Sequence, residues 1–186
     1  MKKSKHFLLL LLSAVVVMQG CKKDDDLVPV PAPVNEPELI TTLRIEFTDS
    51  ANSANKVVTI FKDLDGEGGN EPGQFDSLKL EANKTWYFET SLLNESVSPS
   101  ENITDEIKEE ADDHLFVYSS TGINANIKIT DKDSKNLPLG LKGTFRTGAA
   151  SSGTTTVVLK HQPGIKDGTA DKGETDVEVT FKSRIY

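Results

Sequence analysis

The chain has one cysteine, Cys21. A single thiol forms no intrachain disulfide, so the folded part must hold together by its core. Long apolar runs are also missing. Phe7–Met18 is 12 residues, against about 20 for a membrane-spanning helix. Basic residues are few, 21 Lys and Arg against 29 Asp and Glu. That shortage excludes the counterion-releasing surface on which nucleic-acid binding depends. Catalytic signatures are missing too. There is no Gly-x-Ser-x-Gly, no phosphate-binding Gly-x-x-x-x-Gly-Lys and no His-Glu-x-x-His.

What is present begins with an address. Lys2, Lys3 and Lys5 precede the apolar run, and small Gly20 precedes Cys21. That order predicts a cleaved export signal over residues 1–20. Gly20-Cys21 resembles the lipobox of bacterial lipoproteins, in which the cysteine becomes the acylated first residue. The resemblance implies lipidation at Cys21, with each buried CH₂ adding about 0.8 kcal/mol of membrane affinity. An ordinary secretory signal with a chance cysteine is the alternative. Cys21-Lys22-Lys23-Asp24-Asp25-Asp26 resembles the surface-export signal of Bacteroidota lipoproteins. It implies an outer-membrane protein facing the outside of the cell; a periplasm-facing protein with an acidic linker is the alternative.

Residues 1–20 carry three lysines and no acid, so the mature chain keeps 18 basic and 29 acidic residues, a net charge of −11. Such a field attracts cations and is repelled by anionic membrane surfaces. Pro29, Pro31, Pro33 and Pro37 favour an extended linker. At about 3.1 Å per residue, residues 24–38 would reach roughly 45 Å. The expected organisation is a signal at 1–20, a lipidated cysteine and linker at 21–38, and one domain at 39–186. That domain has about 150 residues, enough for a full core.

The domain reads as all-β. Leu43, Ile45 and Phe47 alternate with polar residues, as do Leu78 and Leu80, and Trp86, Phe88, Thr90 and Leu92. Val58 with Ile60, Leu115–Tyr118, Ile127 with Ile129, Leu139 with Leu141 and Phe145, and Val157 with Leu159 mark further strands. Val177, Val179, Phe181 and Ile185 form the last. About nine strands predict a single immunoglobulin- or fibronectin-like β-sandwich; a β-barrel is the alternative. Leu80–Trp86 resembles a tyrosine corner with an indole in place of the phenol. One short helix is expected between Ser98 and Asp113, from a Ser98-Pro99-Ser100-Glu101 capping box or from Thr104. Its stripe would be Ile103, Ile107 and Ala111.

Three groups of residues could bind cations. A helix running to His114 would place Glu106, Glu110 and His114 on one face, with Asp113 beside them. Carboxylates and imidazole in that pattern suit zinc or copper. Asp112 and Asp113 would oppose the helix dipole unless a cation or protonated His114 relieved them. His161 has the strand parity of Val157 and Leu159, so it faces the core or the strand's end and would join the set if the two histidines met. Asp63, Asp65 and Glu67, with Gly66 between, resemble the first half of an EF-hand loop. Gln74 stands where the bidentate acid belongs, so calcium would bind there only as an interstrand loop site. Asp131–Asn136 is a weaker loop of that kind. The alternatives are a solvated acidic face, a satisfied core histidine and acidic hairpin turns.

Leu92-Leu93-Asn94-Glu95-Ser96, Glu109–His114, Pro138–Leu141 and Lys160–Pro163 together resemble an uncharacterised family of Bacteroidota surface lipoproteins. Its members carry labels such as "type 1 periplasmic binding fold" and "GTP cyclohydrolase". Neither label suits the residues: one helix is too few for the first, and Cys21 is the only cysteine for the zinc site of the second. The expected function is a non-enzymatic binding module, with divalent metal as ligand and a TonB-dependent receptor as partner. The competing expectations are an adhesin or envelope component without a small ligand, and a glycan hydrolase.

Overall fold

A computed structural model describes residues 39–66 and 68–186. The export signal, Cys21 and the linker lie outside the described residues. No described helix is long and apolar enough to cross a membrane.

Ten strands and one helix follow in chain order: β1 (Thr42–Asp49), β2 (Asn52–Lys62), β3 (Gln74–Phe75), β4 (Leu78–Leu80), β5 (Thr85–Leu93), α1 (Ile103–Glu109), β6 (His114–Thr121), β7 (Ala125–Ile129), β8 (Lys142–Thr147), β9 (Ser151–His161) and β10 (Glu174–Ile185). They form two sheets, β3-β2-β1-β5-β8-β7 and β4-β10-β9-β6. The sheets remain separate, so this is the expected all-β sandwich and not a barrel. Nine strands match the predicted runs. The tenth, β3, is two residues long, too short to show alternation. The six-plus-four order, with β4 parallel to β10, replaces the four-plus-three arrangement of an immunoglobulin constant domain.

Alternation decides which residues fill the space between the sheets. β1 contributes Leu43, Ile45 and Phe47, and β5 contributes Trp86, Phe88 and Leu92. Facing them are Phe116 of β6, Val157 and Leu159 of β9, and Val179 and Phe181 of β10. Phe47 packs edge-on against Phe145, with ring centroids 5.6 Å apart. Tyr118 brings its polar tip into this core. Its hydroxyl donates to Gly140 O (2.7 Å) and pairs with Thr90 Oγ1 (2.7 Å).

Two local expectations are corrected. Trp86 is fully buried, and its Nε1 donates to nothing among the described residues, so it does not tie a corner. Thr147 does that instead: its hydroxyl donates to Glu81 O (2.7 Å) and accepts the Lys84 N–H (2.9 Å). The capping box is also absent. Glu101 is drawn into an isolated bridge with Asn94, whose Nδ2 donates to its carboxylate (2.8 Å). The helix therefore starts at Ile103, with Asn102 as N-cap. Thr104 is buried against β5, accepting the Leu92 N–H (2.8 Å) and donating to Leu92 O (3.1 Å). Ile103 and Ile107 are buried in the core and Ala111 packs against it, as the stripe predicted.

Candidate functional site

His114 opens β6 and His161 closes β9, and the two are directly opposed in the antiparallel register. Both share the parity of core residues, Phe116 on one strand and Leu159 on the other. The imidazoles therefore meet at the end of the sandwich interior. Their centroids are 4.8 Å apart and their planes within 5° of parallel.

Glu110 arrives from the helix end. α1 stops at Glu109, with Glu110 as its C-cap, because Asp113 O is captured by the Gln162 N–H (2.6 Å) and His114 belongs to β6. The helix does not reach His114, which corrects the expected i, i+4, i+8 face. Glu106 stays exposed on α1, outside the cluster. The tight turn through Glu110–Asp113 nonetheless brings Glu110 to the histidines. Ligand atoms of Glu110, His114 and His161 all lie within 4.8 Å of one another. Among the described residues this is the one such group of three.

The fourth neighbour is Asp176, which sequence reasoning missed. Simple alternation puts Asp176 on the outer face with Glu178 and Thr180. A bulge intervenes. Thr175 pairs with Lys160 and Val177 with Leu159, leaving Asp176 without a cross-strand partner. Bulges re-aim side chains in this way, and the Asp176 side chain is 2% exposed. Its Oδ2 lies 3.9 Å from His114 Nε2 and its Oδ1 lies 4.0 Å from His161 Nδ1. Both distances exceed a hydrogen bond.

The tautomer of His114 follows from its contacts. Nδ1 is 3.1 Å from Glu110 O, a carbonyl that can only accept, so Nδ1 carries the proton. Nε2 then presents a lone pair, with no hydrogen-bond partner among the described residues. Asp176 Oδ2 is likewise without one. Each unsatisfied buried group costs about 1–3 kcal/mol. Burial pushes the Asp176 carboxyl above the ordinary carboxylate range. Burial, aided by repulsion from His161, pushes the His114 imidazole below its ordinary value, against the pull of Glu110 and Asp113. The ring is thus neutral and available as a ligand.

Chemically, two imidazoles with carboxylates beside them suit a divalent transition ion. A backbone carbonyl fixing the tautomer of a ligating histidine is the usual outer-shell arrangement. Imidazole lone pairs lie in the ring plane, so two parallel rings do not aim at one point. Binding requires one ring to turn about χ2, a soft torsion. Tetrahedral zinc donors lie about 3.4 Å apart, so the donors must also close in slightly.

The other predicted acids have different partners. Asp113 Oδ1 accepts the Gly164 N–H (3.1 Å). Asp112 accepts from the backbone and hydroxyl of Ser134 (3.0 and 2.8 Å), and these contacts, the hydroxyl foremost, hold its carboxyl below the ordinary range. Both aspartates lie beyond the helix end and are compensated by neighbouring loops. In the Asp131–Asn136 loop, Asp131 accepts from Gly140 N (2.9 Å) and Asp133 from Leu137 N (2.8 Å). Asp63 is buried, and Asp65 accepts from Asn70 N (3.0 Å) and Nδ2 (2.5 Å). Glu67 lies outside the described residues. Asp65, Asp131 and Asp133 thus serve as acceptors that hold their own loops.

Three loop segments fasten the site from outside. Lys166 Nζ donates to Ala111 O (2.7 Å) and pairs with Asp133 (2.7 Å), with both side chains fully buried. Gln162 Nε2 donates to Thr169 O (2.8 Å) and Lys172 O (2.9 Å), closing the loop that leads to β10. Gly173 ends that loop at φ +73°, where a Cβ would lie 2.0 Å from His161 O. Gly173→Ala is expected to cost about 1–3 kcal/mol from backbone conformation alone, with the clash adding to it. A lowered urea midpoint checks this.

No family model, curated protein or solved structure matches the chain.

Proposed function

We propose that this protein is a lipid-anchored surface binding module that holds one divalent transition metal ion, zinc or copper, between Glu110, His114 and His161. The observation that carries the reading is the convergence of these three donors within 4.8 Å, with the ε nitrogen of His114 left as a lone pair. The anchor and outward orientation are supported by the sequence around Cys21, and the −11 charge of the mature chain favours cation approach. Delivery of the ion to a TonB-dependent receptor is the matching role for such a lipoprotein.

Calorimetric titration of the full-length protein in detergent tests this. Zinc or copper is expected to bind at one ion per chain, with calcium far weaker. His114→Ala and His161→Ala are each expected to lower the affinity at least about 100-fold. Wild-type protein that binds neither transition metal more tightly than millimolar overturns the reading. Partners captured regardless of chelator would favour an adhesin instead.

A further inference from the structure

Resting on that metal reading, we propose that Asp176 is the fourth ligand, so that four protein donors enclose the ion and it is held rather than used in catalysis.

Three observations converge on this role. The bulge in β10 exists at Asp176 alone and turns that carboxylate inward. The carboxylate is sealed from solvent, and one of its oxygens has no hydrogen-bond partner among the described residues. Its two oxygens face two different imidazoles, at 3.9 and 4.0 Å. These separations are too long for hydrogen bonds and about half an ångström longer than the spacing of donors around zinc.

Asp176 also lines a cleft of about 590 Å³, together with Phe61, Phe75 and Glu178. Structural zinc sites use four protein ligands, whereas catalytic ones keep a position for water. A site closed by Asp176 therefore argues for capture and retention, and against the hydrolase expectation.

The test compares wild type with Asp176→Asn and Asp176→Glu, all full length in detergent. Zinc affinity is measured by competition with a chromophoric chelator, and geometry by the visible spectrum of the cobalt-substituted protein. Asp176→Asn is expected to weaken zinc about 100-fold and to change the tetrahedral cobalt spectrum, while Asp176→Glu restores part of both. Asp176→Asn removes a buried charge, so in EDTA it is expected to melt at or above the wild-type temperature, yet gain less from added zinc. Should Asp176→Asn bind zinc as tightly as wild type with an unchanged cobalt spectrum, Asp176 is not a ligand. Wild type that binds no metal fails at the earlier step and removes this inference with it.

Discussion

Replacing Lys166 by methionine is expected to destabilise the protein by about 3–5 kcal/mol, the usual cost of leaving one member of a buried ion pair alone. Lys166 and Asp133 are both fully buried at their side chains and 2.7 Å apart. Methionine keeps the length of the stem but abandons the Asp133 charge and the Ala111 carbonyl. The double variant Lys166→Met/Asp133→Leu is expected to recover much of the loss, because a buried pair replaced whole by apolar groups is often neutral. Urea unfolding of the four proteins in the cycle measures this; a single variant as stable as wild type would show the pair to be inert. The pH dependence has a definite sign. Burial raises the Asp133 carboxyl, but the Lys166 contact and the amides of Leu137 and Lys135 outweigh it, leaving its value below the ordinary one. Its contribution is therefore present above the unfolded value, about 3.9, and lost as pH falls through the folded value. Acid unfolding of wild type should be steeper than that of the double variant.

The second large effect lies directly behind the site. Phe116→Ala is expected to cost about 3–5 kcal/mol, as for other fully buried phenylalanines. Phe116 is 0% exposed, stands opposite Leu159, and occupies the inner face of β6 between His114 and Tyr118. Its backbone N–H donates to Leu139 O (2.7 Å), so the strand should persist while the cavity remains. Phe116→Leu, which keeps most of the volume, should cost less. The melting temperatures of the two variants rank the packing contribution. Weakened zinc binding by Phe116→Ala would further show that the histidine positions depend on this layer.

Most of the sandwich was legible because its strands have one wet and one dry face. The same alternation placed His161 inside, with Val157 and Leu159. The meeting of His161 with His114 was not legible, since it depends on β6 pairing with β9 across a long intervening segment. The run ending in His114 contains two members of the cluster, Glu110 and His114, but its expected helical face is absent. Glu110 and His114 are neighbours through a tight turn and not through a helical face. Asp176 was hidden by the very rule that revealed its strand. Alternation from Val177 to Ile185 assigns Asp176 outward, and only the register against β9 reveals the bulge. The acids at 112, 113 and 133 drew attention as charges, while Ser134, Gly164 and Lys166, which partner them, come from distant loops; Asp131 accepts from Gly140 of its own loop.

The parallel pairing of β4 with β10 joins Leu80 to Ile185. These residues are about 100 positions apart, and such distant pairings slow folding. The smaller sheet cannot be completed until its second strand, β10, is available, and Asp176 lies on that strand. A nascent chain lacking its last strand therefore has neither a finished smaller sheet nor Asp176 beside the two histidines, so the cluster is among the last features of the fold to form.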